Sequence, residues 1–183
     1  GLMAGEAMAR LLGEKGLVAD HGIQAGSVSA GRSQGFQEAI AKYKGMKALP
    51  TKWTDADTTK SRNISTDELT AHPDLKGMFN ACAASAGDAQ AVKSRGLAGK
   101  VKIVAFDPSP EILPLFEEGT IQAIISQDPY QMGYQGVAAI DAFKKGKPIA
   151  DKKVLLAPVL ITAENYKSAE VVKLLQTPEK FQK

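Results

Sequence analysis

Helical patterns and short apolar runs alternate along almost the whole chain of 183 residues. Apolar residues recur at helical spacing in the longer segments, and shorter runs such as residues 101–106 (VKIVAF) are typical of buried strands. Strict alternation predicts parallel strands, because a parallel pair needs a crossover connection and a helix normally provides it. The sequence therefore predicts an α/β fold with a three-layer parallel sheet and helices on both faces.

Glycine and proline indicate where several of these elements end. A helix in residues 3–12 should stop at Gly13, and residues 46–53 are predicted to form one strand. Residues 154–161 are apolar but are interrupted by Pro158, and a lysine-rich tail with some helical pattern follows them. The alternating order is thus expected to continue into the tail.

Composition excludes several classes of function. The net charge of +3 comes from scattered lysines, without the basic stripe and aromatic residues that indicate nucleic-acid binding. The single cysteine, Cys82, excludes an internal disulfide, and no CxxC pair is present for a metal. No apolar run reaches the roughly 18 residues of a membrane span. Because the sequence also contains no phosphate loop and no nucleophile beside a base, we expect no enzymatic activity, no cofactor and no metal.

The segments that follow the predicted strands carry the residues that could bind a ligand. In open α/β sheets, ligands bind beyond the carboxyl ends of the strands. At those places this chain has a guanidinium, an indole, a thiol, a carboxylate and a primary amide, which belong to Arg32, Trp53, Cys82, Asp107 and Gln127. Charged planar groups bind adjacent hydroxyls, and the C–H face of a pyranose can lie on an aromatic ring. This set of groups favours a sugar.

Each of these five residues also has a purely structural interpretation. Arg32 suits an exposed helix start, Trp53 suits the core and Cys82 suits a small buried position. Asp107 and Gln127 could simply cap the helices that follow them. Both interpretations remain open on residue type and position alone.

Three segments together resemble the periplasmic sugar-binding proteins of the ribose- and galactose-binding type. They are residues 25–36 (AGSVSAGRSQGF), 70–81 (TAHPDLKGMFNA) and 99–137. The family pattern has an Arg three residues before a Gly-Phe pair, a strand that ends in Phe-Asp and a strand that ends in Gln. The resemblance covers most of the chain, and it implies that Arg32, Asp107 and Gln127 hydrogen-bond a sugar.

The sequence departs from the family pattern at two places. Many members carry Asn-Asp where this chain has Cys82 and Ala83, and that Asn contacts the sugar. The resemblance therefore places a ligand contact at Cys82, with Asn80 as an alternative source of the amide. The aromatic residue that members carry near the start of the polar helix has its nearest counterpart in Trp53, a few residues earlier.

Members of this family have two lobes that close over the ligand and present the closed form to the membrane subunits of an ABC permease. The resemblance implies that residues 1–127 form most of the C-terminal lobe. Residues 128–183 would contain the hinge crossings, a remnant of the N-terminal lobe and a tail. An N-terminal lobe is expected before Gly1, and the helix in residues 131–145 should pack on it. Without that lobe, we expect the chain to dimerise.

The resemblance leaves two functions open. The first is sugar import, with a periplasmic location or a lipid-anchored extracellular one in a Gram-positive organism. The second is the effector-binding domain of a LacI-type transcription regulator, which has the same two-lobe fold. Those regulators usually carry a Val-Pro-Asp-like sequence before the strand that ends in Phe-Asp, whereas this chain reads LAGKVK from residue 97. This difference favours import.

Overall fold

The computed structural model describes residues 1–148 and 153–176. Helices and strands alternate as the sequence predicts, except that two short strands follow one another in residues 45–53. In chain order they are α1 (Leu2–Leu12), β1 (Lys15–Gly22), α2 (Val28–Ile40), β2 (Gly45–Ala48), β3 (Lys52–Trp53), α3 (Thr58–Ala71), β4 (Leu75–Asn80), α4 (Ser85–Ser94), β5 (Lys102–Phe106), α5 (Ile112–Glu117), β6 (Ala123–Ser126), α6 (Pro129–Lys144), β7 (Val159–Thr162) and α7 (Ala169–Leu175).

The strands form a single, mostly parallel sheet in the order β2-β1-β4-β5-β6-β7, and β3 extends the pairing along β1. His21 lies opposite Asn80, and Phe106 lies opposite Ile125, so the carboxyl ends of the parallel strands share one edge. Only β7 runs antiparallel among the described strands, because it returns from α6 to pair with β6. The predicted α/β fold with a mainly parallel sheet is confirmed.

Helices cover both faces of the sheet, and successive strand residues point to opposite faces. On β5, Ile103 belongs to the core under α3, α4 and α5, whereas Val104 belongs to the core under α1 and α2. β4 shows the same division, with Met78 on the first face and Phe79 on the second. Burial on both faces explains why these strands read as continuous apolar runs in the sequence.

One boundary differs from the sequence-based expectation and another agrees with it. The single strand predicted for residues 46–53 is wrong: the structure has two short strands, β2 and β3, with Pro50 between them. Proline has no N–H to donate to a sheet ladder, so continuous pairing cannot pass through it. The end of α1 agrees with the prediction, since Gly13 adopts the left-handed conformation (φ 60°) that ends many helices.

Helix α6 lies outside both packed layers, and none of its residues is buried. Its exposed residues include Tyr134, Val137, Ile140 and Phe143, each with between 59% and 69% of its surface accessible. An apolar surface of this extent usually covers, or is covered by, another protein surface. Neither α6 nor any other helix in the described ranges combines the length and apolarity needed to cross a membrane.

The crossing of α3 and α4 depends on a glycine. A Cβ atom at Gly87 would collide with the Thr58 carbonyl oxygen and would lie 2.8 Å from the backbone nitrogen of Arg62. Gly31, in contrast, has open space at the Cβ position within α2.

We therefore expect Gly87→Ala and Gly31→Ala to have opposite effects on stability. Gly87→Ala should lower the free energy of unfolding by about 1–3 kcal/mol, because backbone atoms must move apart. Gly31→Ala should raise it by about 0.5–1 kcal/mol, because alanine restricts the unfolded chain. Urea titration of both variants checks this, and a Gly87→Ala variant as stable as wild type would contradict the close crossing.

Candidate functional site

Arg32, Asp107 and Gln127 meet at the carboxyl edge of the parallel strands. Asp107 directly follows β5, Gln127 directly follows β6, and Arg32 reaches the edge from α2. The Arg32 Nη2 atom donates to the Gln127 Oε1 atom at 3.2 Å, and the Gln127 Nε2 atom donates to the Asp107 Oδ2 atom at 2.6 Å. The backbone N–H of Gln127 donates to the other Asp107 carboxylate oxygen at 3.1 Å. All three side chains remain partly accessible to solvent.

Two further contacts hold the guanidinium of Arg32. Its Nη1 atom donates to the Ala81 carbonyl oxygen at 2.9 Å, and its Cζ atom lies 3.8 Å from the centre of the Phe106 ring. Burial lowers the pKa of Arg32, and the nearby negative charge of Asp107 opposes that shift. The result is a fixed cation with donors left over for a ligand, because a guanidinium carries five N–H groups.

Asp107 has an unusual backbone conformation, with φ at 59°. Positive φ is uncommon for residues other than glycine, although aspartate and asparagine tolerate it better than most. Strained backbone of this kind concentrates at functional sites, where the surrounding structure maintains it. Here the backbone N–H of Asp107 donates to the Ile125 carbonyl oxygen at 2.8 Å, which fixes the carboxylate at the edge.

Cys82 lies in the turn after β4, at the same edge, and is buried. Burial is the main cause of the raised pKa of its thiol. The protonated Sγ atom lies 3.3 Å from the Asn80 Oδ1 atom and can donate to it. Asn80 itself is completely buried and has both ends of its amide occupied, which disfavours it as the alternative source of the sugar contact.

Trp53 is the last residue of β3 and lies at the same edge, opposite Gly22 of β1. Its ring packs on the backbone of Gly22, where a Cβ atom would lie within 2.7 Å of the indole Cε3 atom. The indole is half-buried, so part of it packs in the core and part of it is accessible to solvent. Within the part of the chain that the structure describes, the Arg32–Gln127–Asp107 network does not include Trp53.

A buried polar cluster lies behind this edge, and the sequence analysis did not identify it. His21, fully buried at the end of β1, has its Nε2 atom 2.8 Å from the Glu68 Oε2 atom and its Nδ1 atom 3.1 Å from the Asp88 Oδ1 atom. Asp88 also accepts hydrogen bonds from Ser65 at 2.9 Å and from the Asn80 amide at 3.0 Å. The available signal was a histidine at the end of a buried strand, since buried polar groups need partners.

The charge of His21 follows from these contacts. Burial alone would lower its pKa, but the charge and hydrogen bond of Asp88, together with those of Glu68, raise it to about 10. His21 is therefore an imidazolium that donates to a carboxylate on either side. Among the described residues, no group of three or more His, Cys, Asp or Glu side chains is arranged to hold a metal ion.

A depression of about 580 Å³ opens beside the network. Asp107 and Gln127 form its polar wall, and Leu113 and Leu174 form part of its apolar wall. Helix α7 thus contributes to the surroundings of the edge residues. Its Val171 side chain is buried in the same core as Ile161 of β7, which attaches this tail segment to the sheet.

Comparison with protein families identifies one match. A family model described as a periplasmic binding protein domain matches residues 1–148. The ribose import binding protein of Salmonella typhimurium is 34% identical over 154 residues, which are 83% of this chain and 51% of that protein. The D-allose-binding periplasmic protein of Escherichia coli is 33% identical over 160 residues, which are 84% of this chain and 51% of that protein. The chain thus spans about half the length of these curated relatives.

Solved structures resemble this fold closely. An ABC transporter solute-binding protein from Agrobacterium vitis, bound to α-D-tagatopyranose, superposes with a TM-score of 0.90 at 29% identity. The superposition covers 97% of this chain and 60% of that one. A carbohydrate transporter solute-binding protein from Agrobacterium radiobacter, in complex with D-arabinose, gives a TM-score of 0.87 at 30% identity and covers 96% of this chain and 62% of that one.

The raised pKa of His21 predicts how stability depends on pH. Below its ordinary pKa of 6.5, His21 is protonated in both the folded and the unfolded chain, and its stabilising contribution is complete. As the pH rises from 6.5 to about 10, the unfolded chain releases this proton first, so the contribution of His21 decreases and is lost above that range.

Denaturant titrations of wild type and His21→Gln between these pH values test this expectation. The difference in unfolding free energy between the two proteins should shrink as the pH rises. His72→Gln, which changes the other histidine, is the matched control and should stay parallel to wild type. A difference that is constant with pH would show that His21 is not charged in the folded protein.

Proposed function

Because the chain belongs to the periplasmic binding protein domain family, we propose that it is the solute-binding component of an ABC import system and binds a monosaccharide or small polyol. The observation that carries this proposal is the convergence of Arg32, Gln127 and Asp107 at the carboxyl edge of the sheet. The relatives include proteins named as a ribose import binding protein and a D-allose-binding periplasmic protein. We propose binding and delivery to permease subunits as the activity, rather than catalysis.

The chemistry of the three side chains suits a polyhydroxylated ligand. Each hydroxyl both donates and accepts a hydrogen bond, so a site for it needs donors and acceptors close together. Arg32 offers donors only, Asp107 offers acceptors and Gln127 offers both. Hydrogen bonds to charged groups are stronger than neutral ones, and Gln127 links the charged groups of Arg32 and Asp107.

Trp53 and Cys82 would complete this half of the site. The half-buried Trp53 ring could present its face to the apolar side of a sugar, as the carbohydrate chemistry of aromatic residues allows. Cys82 lies in the turn whose Ala81 carbonyl holds Arg32, so its small thiol would form the floor between Arg32 and the ligand. This role for Cys82 fits a buried, protonated thiol better than a reactive one.

We further propose that this chain supplies one of two lobes. Residues 1–127 would form most of the C-terminal lobe, and residues 128–183 would contain the crossings to an N-terminal lobe and the tail. The superposition covers 60% of the Agrobacterium vitis protein, and the remainder of that protein leaves room for such a lobe. Helix α6 supports the proposal, since its apolar residues have no partner surface among the described residues.

The proposed location is the periplasm, or the outer face of the membrane in a Gram-positive organism. The relatives named above support import rather than the alternative of a LacI-type regulator. The names of the relatives favour import, because two of them are import binding proteins for ribose and D-apiose, and a third is a D-allose-binding periplasmic protein. No sugar is chosen among these, since Cys82 stands where many members carry asparagine.

Asp107→Asn tests the proposed site without disturbing the backbone. Asparagine tolerates positive φ, so the substitution removes the charge but not the conformation. In the two-lobed protein we expect sugar binding to weaken by about 1.5–3 kcal/mol, the range for hydrogen bonds to a charged group. Calorimetry with D-ribose, D-allose, D-arabinose and D-tagatose measures this.

The matched control for that experiment is Asp67→Asn, which makes the same change on the exposed side of α3. It should leave affinity unchanged. If Asp107→Asn binds the best sugar of the panel as tightly as wild type does, Asp107 is not a ligand residue.

The exposed surface of α6 predicts self-association of the 183-residue chain. Val137 and Ile140, one helical turn apart, are 68% and 59% accessible, and covering such residues is favourable. We expect sedimentation velocity to show a dimer that becomes more abundant with concentration, since symmetric dimers are the commonest homo-oligomers. Val137→Lys combined with Ile140→Lys should restore the monomer, whereas Val172→Lys on α7 should not. A monomer at every concentration would contradict this prediction.

A further inference from the structure

The buried cluster around His21 is connected to Arg32 by a series of hydrogen bonds. Glu68 and Asp88 both contact the His21 ring, and Asp88 accepts from the Asn80 Nδ2 atom at 3.0 Å. The Asn80 Oδ1 atom accepts from the backbone N–H of Cys82 at 3.3 Å. The preceding residue is Ala81, whose carbonyl oxygen holds the Arg32 guanidinium. The cluster thus ends at the turn that supports the ligand edge.

The chemistry of the cluster allows only one orientation of the Asn80 amide. An ionised carboxylate accepts hydrogen bonds and cannot donate them, so the NH₂ end of Asn80 must face Asp88. The carbonyl end then necessarily faces the turn, where it accepts from the N–H and the Sγ of Cys82. Asp88 therefore determines which group Asn80 presents to the turn.

His21 in turn provides the positive charge beside Asp88. The charged groups that face its ring are Glu68 from α3 and Asp88 from α4. Asp20, its neighbour in β1, points to the other face of the sheet, where it accepts from Gln37 and Thr51. A neutral imidazole would direct a lone pair at one of the two carboxylates, whereas an imidazolium donates to both. Removing the imidazolium would leave two buried carboxylates without a counter-charge, which is strongly unfavourable.

We propose that His21, Asp88 and Asn80 are positioning residues for the ligand edge: they fix the turn at residues 81–82 and, through the Ala81 carbonyl, the guanidinium of Arg32. None of the three touches the proposed ligand position, because all are fully buried. The importance of this positioning for sugar binding rests on the proposed function. The effect on Arg32 itself requires no ligand.

Carbon-13 relaxation of the Arg32 δ-methylene group tests the proposal in the 183-residue chain. Arg32→Lys identifies the signal, and Arg10, an exposed residue of α1, serves as an internal reference. We expect the Arg32 order parameter to be high in wild type and to fall toward that of Arg10 in His21→Gln and in Asn80→Ala. Loss of one hydrogen bond from the charged guanidinium should increase the population of Arg32 side chains released from the Ala81 carbonyl by about tenfold or more.

Two control variants separate positioning from a general loss of stability. Ile103→Val creates a small cavity in the β5 core, and it should lower the unfolding midpoint without releasing Arg32. His72→Gln is the second control, because it makes the same substitution at a histidine outside the cluster. If His21→Gln and Asn80→Ala lower the midpoint but leave the Arg32 order parameter as it is in Ile103→Val, the cluster is only structural and the proposal is wrong.

The wild-type chain provides a third measurement, which remains decisive if the variants do not fold. Raising the pH through about 10 should deprotonate His21 and release Arg32 at the same pH, with Arg10 unchanged. An Arg32 side chain that stays ordered while the His21 signal titrates would overturn the proposal. Parallel calorimetry of the two-lobed protein with D-ribose, D-allose, D-arabinose and D-tagatose reports on function separately. If wild type binds none of these sugars, the proposed function loses its support, while the relaxation data still decide the positioning role.

Discussion

Parallel pairing of β1, β4, β5 and β6 is the constraint on which the rest of this structure depends. It requires helical crossovers, which cover both faces of the sheet, and it brings the carboxyl ends of distant segments to one edge. Arg32 and Gln127 are 95 positions apart in the chain, yet they are hydrogen-bonded across this edge. The candidate site is therefore a direct product of the topology.

The same constraint explains the buried charges. A parallel sheet covered on both faces leaves no water for polar groups at the strand ends, so these groups must satisfy one another. The His21–Glu68–Asp88 cluster does this on one face with an imidazolium between two carboxylates. On the edge itself, where water still reaches, Arg32 and Asp107 remain available for a ligand. The buried polar groups thus support the edge, whereas the groups that water still reaches can bind a ligand.

The alternation of elements and the convergence of Arg32, Asp107 and Gln127 could be predicted because both follow from local pattern and from the edge rule for open sheets. The interruption of the strand at Pro50 is also a local feature, but the neighbouring apolar residues suggested one continuous strand. The antiparallel direction of β7 and the inward direction of Asn80 could not be predicted, because both depend on contacts with residues far away in the chain. His21 was missed for the same reason, since its carboxylate partners lie 47 and 67 positions away.

We propose that the carboxyl edge binds a sugar through Arg32, Asp107 and Gln127. A crystal structure of the two-lobed protein grown with D-ribose or D-allose tests it most directly. We expect sugar density against this edge, with hydroxyl oxygens at hydrogen-bonding distance, about 2.5–3.2 Å, from all three side chains. Sugar bound elsewhere on the molecule, with the Arg32–Gln127–Asp107 hydrogen bonds intact and no hydroxyl beside them, would contradict it.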